Sequence, residues 1–345
     1  MFKPKYTITN KLLSNIKQIS SIVLELNSRR FSKVMLYELE RSAREISTYA
    51  STSIEGNPLP LTDVKQILKT QPKNLRNSEL EVINYNKALE ELNENLQKHS
   101  IHFSLSLVLS IQRQVVDKLK TKYQSGKLRE EPVFVNDPRI DRTVYWPPDA
   151  KDVPKLMDDL VGFVNNSKGI VDPLIIAGIF HKQFVIIHPF IDGNGRTARL
   201  ATKVLLADMG LNTFNLFSFE NYYNRNVTNY FKNVGILGNY YEIIGSIDFT
   251  SWLEYFTDGI IDELLRVKKL LPKMSVGPKE ELLPYHKKIL EFIRKKGYIS
   301  DRDYKKLTDR AKATRNLDFN KLIDMGFIER KGKGKATYYQ LKEKL

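Results

Sequence analysis

One stretch of the sequence, His188–Arg199, holds a base, a carboxylate, two glycines and two arginines where one predicted helix ends and the next begins. The first helix is apolar and is predicted to end at Ile187, because Pro189 prevents its simple continuation. The run Gly193–Gly195 then supplies permissive backbone just before a predicted helix from about Arg196 to Met209. A helix N-terminus offers unpaired N–H groups and the positive end of a dipole, so this pattern predicts a site for phosphate groups.

The charged side chains of this stretch are those that a nucleotide-dependent transfer reaction needs. Arg196 and Arg199 are three residues apart and so share one helical face, where each guanidinium can bind phosphate oxygens. Asp192 supplies a hard carboxylate ligand for Mg²⁺, and His188 supplies a base that nearby positive charge helps to keep neutral. The alternative is that these residues form only a turn, a packed histidine and a solvated helix face.

The residues His-Pro-Phe-Ile-Asp-Gly-Asn-Gly-Arg-Thr-Ala-Arg resemble the signature loop of the Fic family, whose usual activity is transfer of AMP from ATP to a protein hydroxyl. The resemblance implies that His188 deprotonates a Tyr, Thr or Ser hydroxyl, which attacks the α-phosphate and releases pyrophosphate. It implies that Asp192 binds Mg²⁺ between the α- and β-phosphates. The phosphate-binding residues that it implies are Gly193, Asn194, Gly195, Arg196 and Arg199. The kinase-like branch of the family has Lys in place of Gly195, so phosphorylation is less favoured.

A second motif ends a predicted helix over residues 36–56. Glu55 falls in its last turn, where the helix dipole disfavours a carboxylate by about 0.3–1 kcal/mol, and Gly56 follows as a C-cap. The residues Ser51–Asn57 resemble the inhibitory motif of the family, a Ser or Thr followed four residues later by Glu. The resemblance implies that Glu55 pairs with Arg199 in the place of the γ-phosphate and inhibits transfer. In some family members the same glutamate supports removal of AMP. On physical grounds alone, a solvated glutamate is the alternative.

Helical periodicity of about 3.6 residues dominates the elements that position these motifs. Predicted helices lie near residues 12–26, 36–56, 61–68, 80–96, 105–119, 153–164, 174–187, 196–209, 222–234 and 249–269. One β-hairpin is predicted between about Val133 and Trp146, and it resembles the family's flap, an edge that can pair with an extended target segment. The alternative for this hairpin is a simple connector. His181 is predicted to be a packed core histidine rather than a ligand.

Two further groups of residues are predicted to make contacts outside the signature loop. Tyr222, Tyr223 and Asn226 lie where the family often contacts the nucleotide base. Residues 284–345 show three helices and two strands, the order of a winged helix-turn-helix domain, and residues 281–345 carry 18 Lys and Arg against 9 Asp and Glu. The predicted DNA contacts there are Lys312, Arg315, Lys331, Lys333 and Lys335. Protein binding or dimerisation is the alternative role of this domain.

Composition sets limits on the class of protein. The 345 residues are 41% hydrophobic and 28% charged, with a formal net charge of +15, which is typical of a folded globular chain. With no Cys there is neither a disulfide nor a thiolate nucleophile, which fits a reducing compartment. The first 15 residues lack the apolar core of a signal peptide, and no stretch is long enough to span a bilayer. We therefore expect a cytoplasmic protein that is not bound to a membrane.

These observations combine into one expected architecture. The fold class is mainly α: a Fic-type helical bundle with a small β-hairpin flap, followed by a C-terminal winged-helix domain. The expected domains are an N-terminal helical region with the inhibitory helix (1–100), a catalytic core (101–270), a linker (271–283) and a winged helix-turn-helix domain (284–345). The expected function is Mg²⁺-dependent AMP transfer from ATP to a protein target or to the chain itself, inhibited by Glu55. The alternatives are a nucleotide-sensing, DNA-binding transcriptional regulator and an enzyme that removes AMP. A homodimer is a further expected partner, since oligomeric state often tunes inhibition in this family.

Overall fold

The computed structural model describes residues 2–29, 31, 33–72, 74–98, 102–137, 142–208, 210–211, 213–271 and 282–342. The chain divides into two compact units. The first comprises Met1–Ser28, Ser42–Leu68 and Asn74–Pro272, and the second comprises Arg29–Arg41, Lys69–Lys73 and Lys273–Leu345. Nearly all of the predicted linker, 271–283, lies outside the described residues.

Helices build most of the first unit. They are α1 (Asn10–Ser28), the second part of α2 (Lys33–Ile54), α3 (Leu61–Thr70), α4 (Asn77–Lys98), α5 (Leu105–Val115), α6 (Val153–Ser167), α7 (Pro173–Ile187), α8 (Asn194–Asp208), α9 (Phe219–Arg225), α10 (Val227–Val234), α11 (Tyr240–Ile243) and α12 (Thr250–Leu270). The predicted helix over 222–234 is two helices, because Asn226 breaks it and its side chain accepts a bond from Asn229 N–H at the start of α10. The helix predicted from Arg196 begins two residues earlier, at Asn194.

Helix α7 forms the centre of the first unit. Nearly all of its residues are buried, as expected for a helix that is apolar on every side. It packs against α6, α8 and α12. The approach to α12 is close: the indole N–H of Trp252 donates to the Gly178 carbonyl at 2.7 Å, and a Cβ at Gly178 would lie 2.7 Å from Leu253 Cδ2. This packing fixes the C-terminal end of α7, where His188 follows.

The hairpin is confirmed and belongs to a small three-stranded sheet. Strand β1 (Val135–Asp137) pairs antiparallel with β2 (Arg142–Trp146), with Val135 opposite Tyr145. Strand β3 (Gly238–Asn239) pairs parallel with the other side of β2, so β2 is central and β1 is an edge strand. The sequence did not predict β3, because two residues carry no periodicity. The middle of the predicted hairpin, residues 138–141, lies outside the described ranges.

The second unit has its own core. Its elements are the start of α2, then α13 (Pro284–Lys296), α14 (Asp301–Lys305), α15 (Lys312–Asp324), β4 (Ile328–Lys331) and β5 (Tyr338–Leu341). Strands β4 and β5 are antiparallel, and the rings of Phe319 and Tyr339 stack with centroids 4.0 Å apart. The order of helices and strands agrees with the predicted one, while assignment to the winged-helix class stays a prediction.

This second unit includes residues 29–41 and 69–73, which the sequence analysis placed in the N-terminal region 1–100. The physical reason lies partly in Tyr37, whose hydroxyl accepts a bond from Arg294 at 2.7 Å and whose ring contacts Phe327 edge-on. Among the described helices, none is long and apolar enough to cross a membrane.

Candidate active site

His188 occupies a strained backbone position at the end of α7. Its φ and ψ of 50° and 59° are left-handed, and its N–H closes the helix on the Phe184 carbonyl at 3.0 Å. The ring Nδ1 lies 3.3 Å from the Val185 carbonyl, which can only accept, so Nδ1 carries the proton and Nε2 is the free base of the neutral ring. Burial lowers the pKa of His188. The arrangement therefore provides a neutral imidazole with a defined tautomer.

The other histidine of α7 has a structural role, as predicted. His181 is fully buried, and its ring nitrogens lie 3.0 Å from the hydroxyls of Thr202 and Tyr230. Burial lowers the pKa of His181 to about 3, so its ring stays neutral in the core.

The loop after His188 is braced by residues that the sequence analysis did not single out. Gln112 is fully buried; its amide N–H donates to the Asp192 carbonyl at 3.1 Å, and its oxygen accepts from Gly126 N–H. The Nζ of Lys120 lies 3.4 Å from Asp192 Oδ2. These residues come from a segment about 70 to 80 positions earlier, so no local motif could have revealed them.

Asn194 closes the loop rather than facing an anion with its side chain. Its amide nitrogen donates to the Phe190 carbonyl at 2.7 Å, and its oxygen accepts from Phe190 N–H at 2.9 Å. Gly193 has a φ of +80°, and a Cβ there would press on Val116. The prediction that Asn194 binds phosphate can therefore apply only to its backbone N–H.

The two arginines of α8 are buried at its N-terminal end. Arg196 donates to Asp192 Oδ1 at 2.9 Å, and its NH1 lies 3.6 Å from Glu81 Oε1. Within the described residues, Arg196 Nε and NH1 and Arg199 NH1 are buried nitrogens without a hydrogen-bond partner. Buried donors of this kind normally find an acceptor, so a phosphate oxygen suits them.

Glu55 lies directly against this cradle. Its Oε1 accepts a bond from Arg199 NH2 at 2.7 Å, and a Cβ added at Gly195 would overlap the same oxygen. Burial alone would lower the pKa of Arg199, but the charge and hydrogen bond of Glu55, together with Tyr230 and Tyr85, outweigh burial and raise it. Gly56 has a φ of +89°, as a helix C-cap requires. The contact expected from the resemblance is present in the geometry.

Ser51 holds the same arginine from one turn earlier on α2. Its hydroxyl accepts from Arg199 Nε at 2.7 Å and its carbonyl accepts from NH2 at 2.9 Å. A second anchor, which the sequence analysis missed, lies at Ser47, whose hydroxyl accepts from Lys203 Nζ at 2.9 Å and lies 3.1 Å from the buried Glu220. The sequence signal for this second anchor is a matching spacing of four residues on the two helices. Residues 47, 51 and 55 follow one face of α2, and residues 199 and 203 follow one face of α8.

Replacing Ser51 with Ala tests whether this hydroxyl helps to hold Arg199 against Glu55. We expect Ser51→Ala to raise nucleotide turnover by a factor of about 2 to 10, because a hydrogen bond to a charged group contributes about 1.5–3 kcal/mol and the remaining bonds to the Ser51 carbonyl and Glu55 offset part of its loss. Initial rates of product formation measure the effect. Ser53→Ala, on the same helix and partly exposed, is the matched control. Equal rates for both variants would show that Ser51 has no part in inhibition.

The predicted contacts to the nucleotide base are not brought to a common surface. Tyr223 has no exposed surface and stacks on Tyr230, so it is unavailable to a base in this structure. The ring of Tyr222 packs on Tyr255 and lies under the guanidinium of Arg225. Asn226 is occupied with capping α10. The local sequence shows aromatic residues but not which of them the core absorbs.

One predicted DNA contact is also internal to its unit. Arg315 is 6% exposed and forms two hydrogen bonds to the carboxylate of Asp301, so it stabilises the second unit rather than presenting a free cation. Lys331 pairs with Glu329 at 3.1 Å, whereas Lys312 and Lys333 are exposed. The side chain of Lys335 lies outside the described residues.

The donor set fits Mg²⁺ held jointly with substrate phosphates. In the described ranges, no group of three or more His, Cys, Asp or Glu converges to hold a metal by itself. Asp192 offers one partly exposed carboxylate beside the start of α8. Mg²⁺ in nucleotide sites commonly takes one or two carboxylates and completes its shell with phosphate oxygens and water.

Comparison with known proteins identifies the domain that carries this site. The model of the Fic/DOC family matches residues 102–206. Protein adenylyltransferase Fic of Nematostella vectensis is 28% identical over 212 residues, covering 58% of this chain and 48% of that protein. Protein adenylyltransferase fic-1 of Caenorhabditis briggsae is 30% identical over 212 residues, covering 59% and 40%. The chain thus spans less than half the length of these two curated relatives.

Solved structures share the fold. A Fic family protein from Desulfovibrio desulfuricans G20 has a TM-score of 0.64 at 22% identity, with 99% of both chains covered. Fic-1 from C. elegans has a TM-score of 0.58 at 23% identity, covering 75% of this chain and 72% of that one. The predicted fold class, a mainly helical Fic-type bundle with a small hairpin, is confirmed. Residues 102–206 therefore match the Fic/DOC family, and the fold of the chain is similar to that of solved Fic proteins.

Proposed function

We propose that this protein transfers AMP from ATP to a hydroxyl side chain of a protein. The observation that carries the proposal is the convergence of a neutral His188 with a free Nε2, the Asp192 carboxylate and an anion cradle at the start of α8. The activity named for the curated relatives, protein adenylyltransferase, supports the same reaction. ATP is the nucleotide substrate, and a Tyr, Thr or Ser side chain is the acceptor.

In the proposed reaction, Nε2 of His188 takes the proton of the acceptor hydroxyl. The hydroxyl oxygen forms a bond to the α-phosphorus, the bond from that phosphorus to the bridging oxygen breaks, and pyrophosphate leaves. The N–H groups at the start of α8 and the arginines Arg196 and Arg199 hold the departing phosphates and stabilise their charge. Asp192 would hold Mg²⁺, which neutralises phosphate charge when bound.

Glu55 would inhibit this reaction by occupying the position of the distal phosphate. Its carboxylate takes the donor of Arg199 that a γ-phosphate would use, and it places a negative charge where that phosphate would lie. ATP can then bind only in a displaced pose, in which the α-phosphorus is not aligned with the attacking oxygen. Inhibition therefore requires no change of fold, only the presence of this carboxylate.

A labelling experiment tests the proposed activity. Purified Glu55→Gly protein is incubated with Mg²⁺, ATP and a cell extract, and peptides are searched by mass spectrometry for an adenylyl group on Tyr, Thr or Ser. Glu55→Gly combined with His188→Ala is the matched control. Adenylylated peptides that depend on His188 are expected, and their absence from every sample would contradict the proposal.

The other outcomes of that experiment point to the alternatives. Absence of transfer together with tight ATP binding would favour a nucleotide-sensing, DNA-binding regulator, for which Lys312 and Lys333 are the exposed candidates among the predicted contacts. Loss of AMP from a previously modified peptide, dependent on Glu55, would favour removal of AMP. The intact His188 favours the transferase, since a sensor has no need of a base.

The pH dependence of transfer follows from the surroundings of His188. Burial lowers the pKa of this histidine, the charge of Arg129 also lowers it, and the charges of Glu55 and Asp192 raise it. A base must be unprotonated, so the rate should rise with pH through this pKa and level off above it. We expect the acid limb below the usual histidine value of about 6.5. Glu55→Gly removes a charge that raises the pKa, so its acid limb should lie at lower pH than that of the unmodified protein.

Initial rates measured between about pH 5 and pH 8 check this expectation. Ser53→Gly, which leaves every charge in place, serves as the control for the shift between the two proteins. An acid limb above the usual histidine value, or a shift of the Glu55→Gly limb to higher pH, would contradict the assignment of His188 as the base.

A further inference from the structure

The backbone around His188 needs support that α7 cannot supply. A residue other than glycine in the left-handed region carries a cost of about 1–2 kcal/mol. The last carbonyls of a helix also lack partners within the helix. His188 combines both conditions, because it is left-handed and directly follows the last residue of α7, Ile187. Something outside the helix must therefore hold this turn.

Arg129 donates to three successive carbonyls of the turn. Its backbone N–H donates to Pro189 O at 2.9 Å, and its Nε donates to His188 O at 2.8 Å. Its NH2 lies 3.5 Å from Ile187 O. One residue thus satisfies the carbonyls before, at and after the base.

The remaining donors of Arg129 reach both ends of the hairpin. NH1 donates to Glu131 O at 3.1 Å, four residues before β1 begins, and NH2 donates to Pro148 O, two residues after β2 ends. The same guanidinium therefore joins the backbone of the base to the chain entering and leaving the β1–β2 hairpin. Residues 138–141, between β1 and β2 in the sequence, lie outside the described part.

The surroundings of Arg129 suit an arginine and no other side chain. It is 3% exposed, and among the described residues it forms no ion pair with a carboxylate, although the charge of Asp149 acts on it from beyond ion-pair distance. The negative end of the α7 dipole and four side-chain-bound carbonyls compensate its charge instead. A lysine would keep the charge, but a single ammonium cannot match the planar fork whose nitrogens serve separate acceptors.

We infer that Arg129 is the positioning residue that fixes the backbone of His188 and holds the hairpin in register with it. The consequence of this inference for catalysis rests on the proposed function. A target segment that pairs with the edge strand β1 would then be held at a fixed position relative to the His188 base. Arg129 itself touches no reacting atom; it acts through His188 and the two ends of the hairpin.

The variant Arg129→Lys, made in the Glu55→Gly background and compared with Glu55→Gly alone, tests this inference through two measurements. The first is independent of activity: the ring resonances of the five histidines are recorded by NMR, and that of His188 is assigned by its loss in His188→Ala. The second is the rate of AMP transfer at saturating ATP. The matched control is Arg266→Lys, since Arg266 is partly buried and also donates to a carbonyl, that of Leu216.

We expect the His188 resonance to shift or broaden in Arg129→Lys while that of His181 stays unchanged, and neither to move in Arg266→Lys. The kcat should fall by about tenfold or more, with KM for ATP changed by less than about twofold, because ATP is held by other residues. A merely structural role would reduce stability without this split between kcat and KM.

An unchanged His188 resonance with unchanged kcat in Arg129→Lys would overturn the inference. If Arg129→Lys does not fold, Arg129→Gln, which keeps two N–H donors without the charge, is measured in the same way. If the Glu55→Gly parent transfers no AMP at all, the proposed function fails, but the NMR comparison still decides whether Arg129 positions His188.

Discussion

Glu55→Gly is expected to raise the rate of AMP transfer by at least about tenfold. The variant removes a carboxylate that bonds the buried Arg199 at 2.7 Å and lies against Gly195 at the start of α8. A hydrogen bond to a charged group contributes about 1.5–3 kcal/mol, which corresponds to roughly 10- to 100-fold in a rate that requires the bond to be broken. Without the Glu55 carboxylate, Arg199 can bind a phosphate of ATP in the productive pose.

Two control variants separate the charge of Glu55 from other effects. Ser53→Gly places a glycine in the last turn of α2 without removing the carboxylate, and it should leave the rate unchanged. Glu55→Gln keeps the size of the side chain and loses the charge, so it should give an intermediate increase. Initial rates at fixed ATP measure all three. A rate for Glu55→Gly equal to that of the unmodified protein would contradict the inhibitory role.

His188→Ala in the Glu55→Gly background is expected to reduce transfer by about 10²- to 10⁴-fold, the usual contribution of a general base. The His188 side chain does not form part of the phosphate cradle, which is built from the start of α8. The affinity for ATP should therefore stay within about twofold. Rates of AMP transfer and a direct titration with ATP measure the two quantities.

The matched control for this variant is His102→Ala, because His102 is exposed. It should change neither the rate nor the affinity. A loss of ATP affinity parallel to the loss of rate would show that His188→Ala disrupts the loop, and an unchanged rate would show that another group accepts the proton.

The sequence predicted the helices and the loop between α7 and α8 well because their signals are local. A continuous apolar run marks α7, apolar residues at helical spacing mark α12, and the residues from His188 to Arg199 lie in one unbroken stretch. The contact between Glu55 and Arg199 joins positions 144 residues apart, and only the resemblance to a family motif indicated it. Physical reasoning alone indicated that the Glu55 carboxylate lies at the unfavourable negative end of a helix dipole, but it did not identify a partner for that carboxylate.

The remaining features depend on tertiary packing, which a single sequence does not display. Arg129 and Gln112 brace the loop from segments 59 and 80 residues away. Arg315 was predicted to face DNA, but a cation on a helix can turn inward when an acidic partner, here Asp301, lies within reach. Tyr223 was predicted to contact a nucleotide, yet its ring is part of the aromatic core with Tyr230. Periodicity indicates whether a helix face is apolar or polar, but it does not identify the residues that the face contacts.

Transfer of label from ATP tests the central claim most directly. Glu55→Gly protein is incubated with Mg²⁺ and a protein extract in two parallel reactions, one with ATP labelled at the α-phosphate and the other with ATP labelled at the γ-phosphate. The account predicts that protein becomes labelled only from the α-phosphate, and that His188→Ala abolishes this label. Label transferred from the γ-phosphate, or α-label that persists without His188, would contradict it.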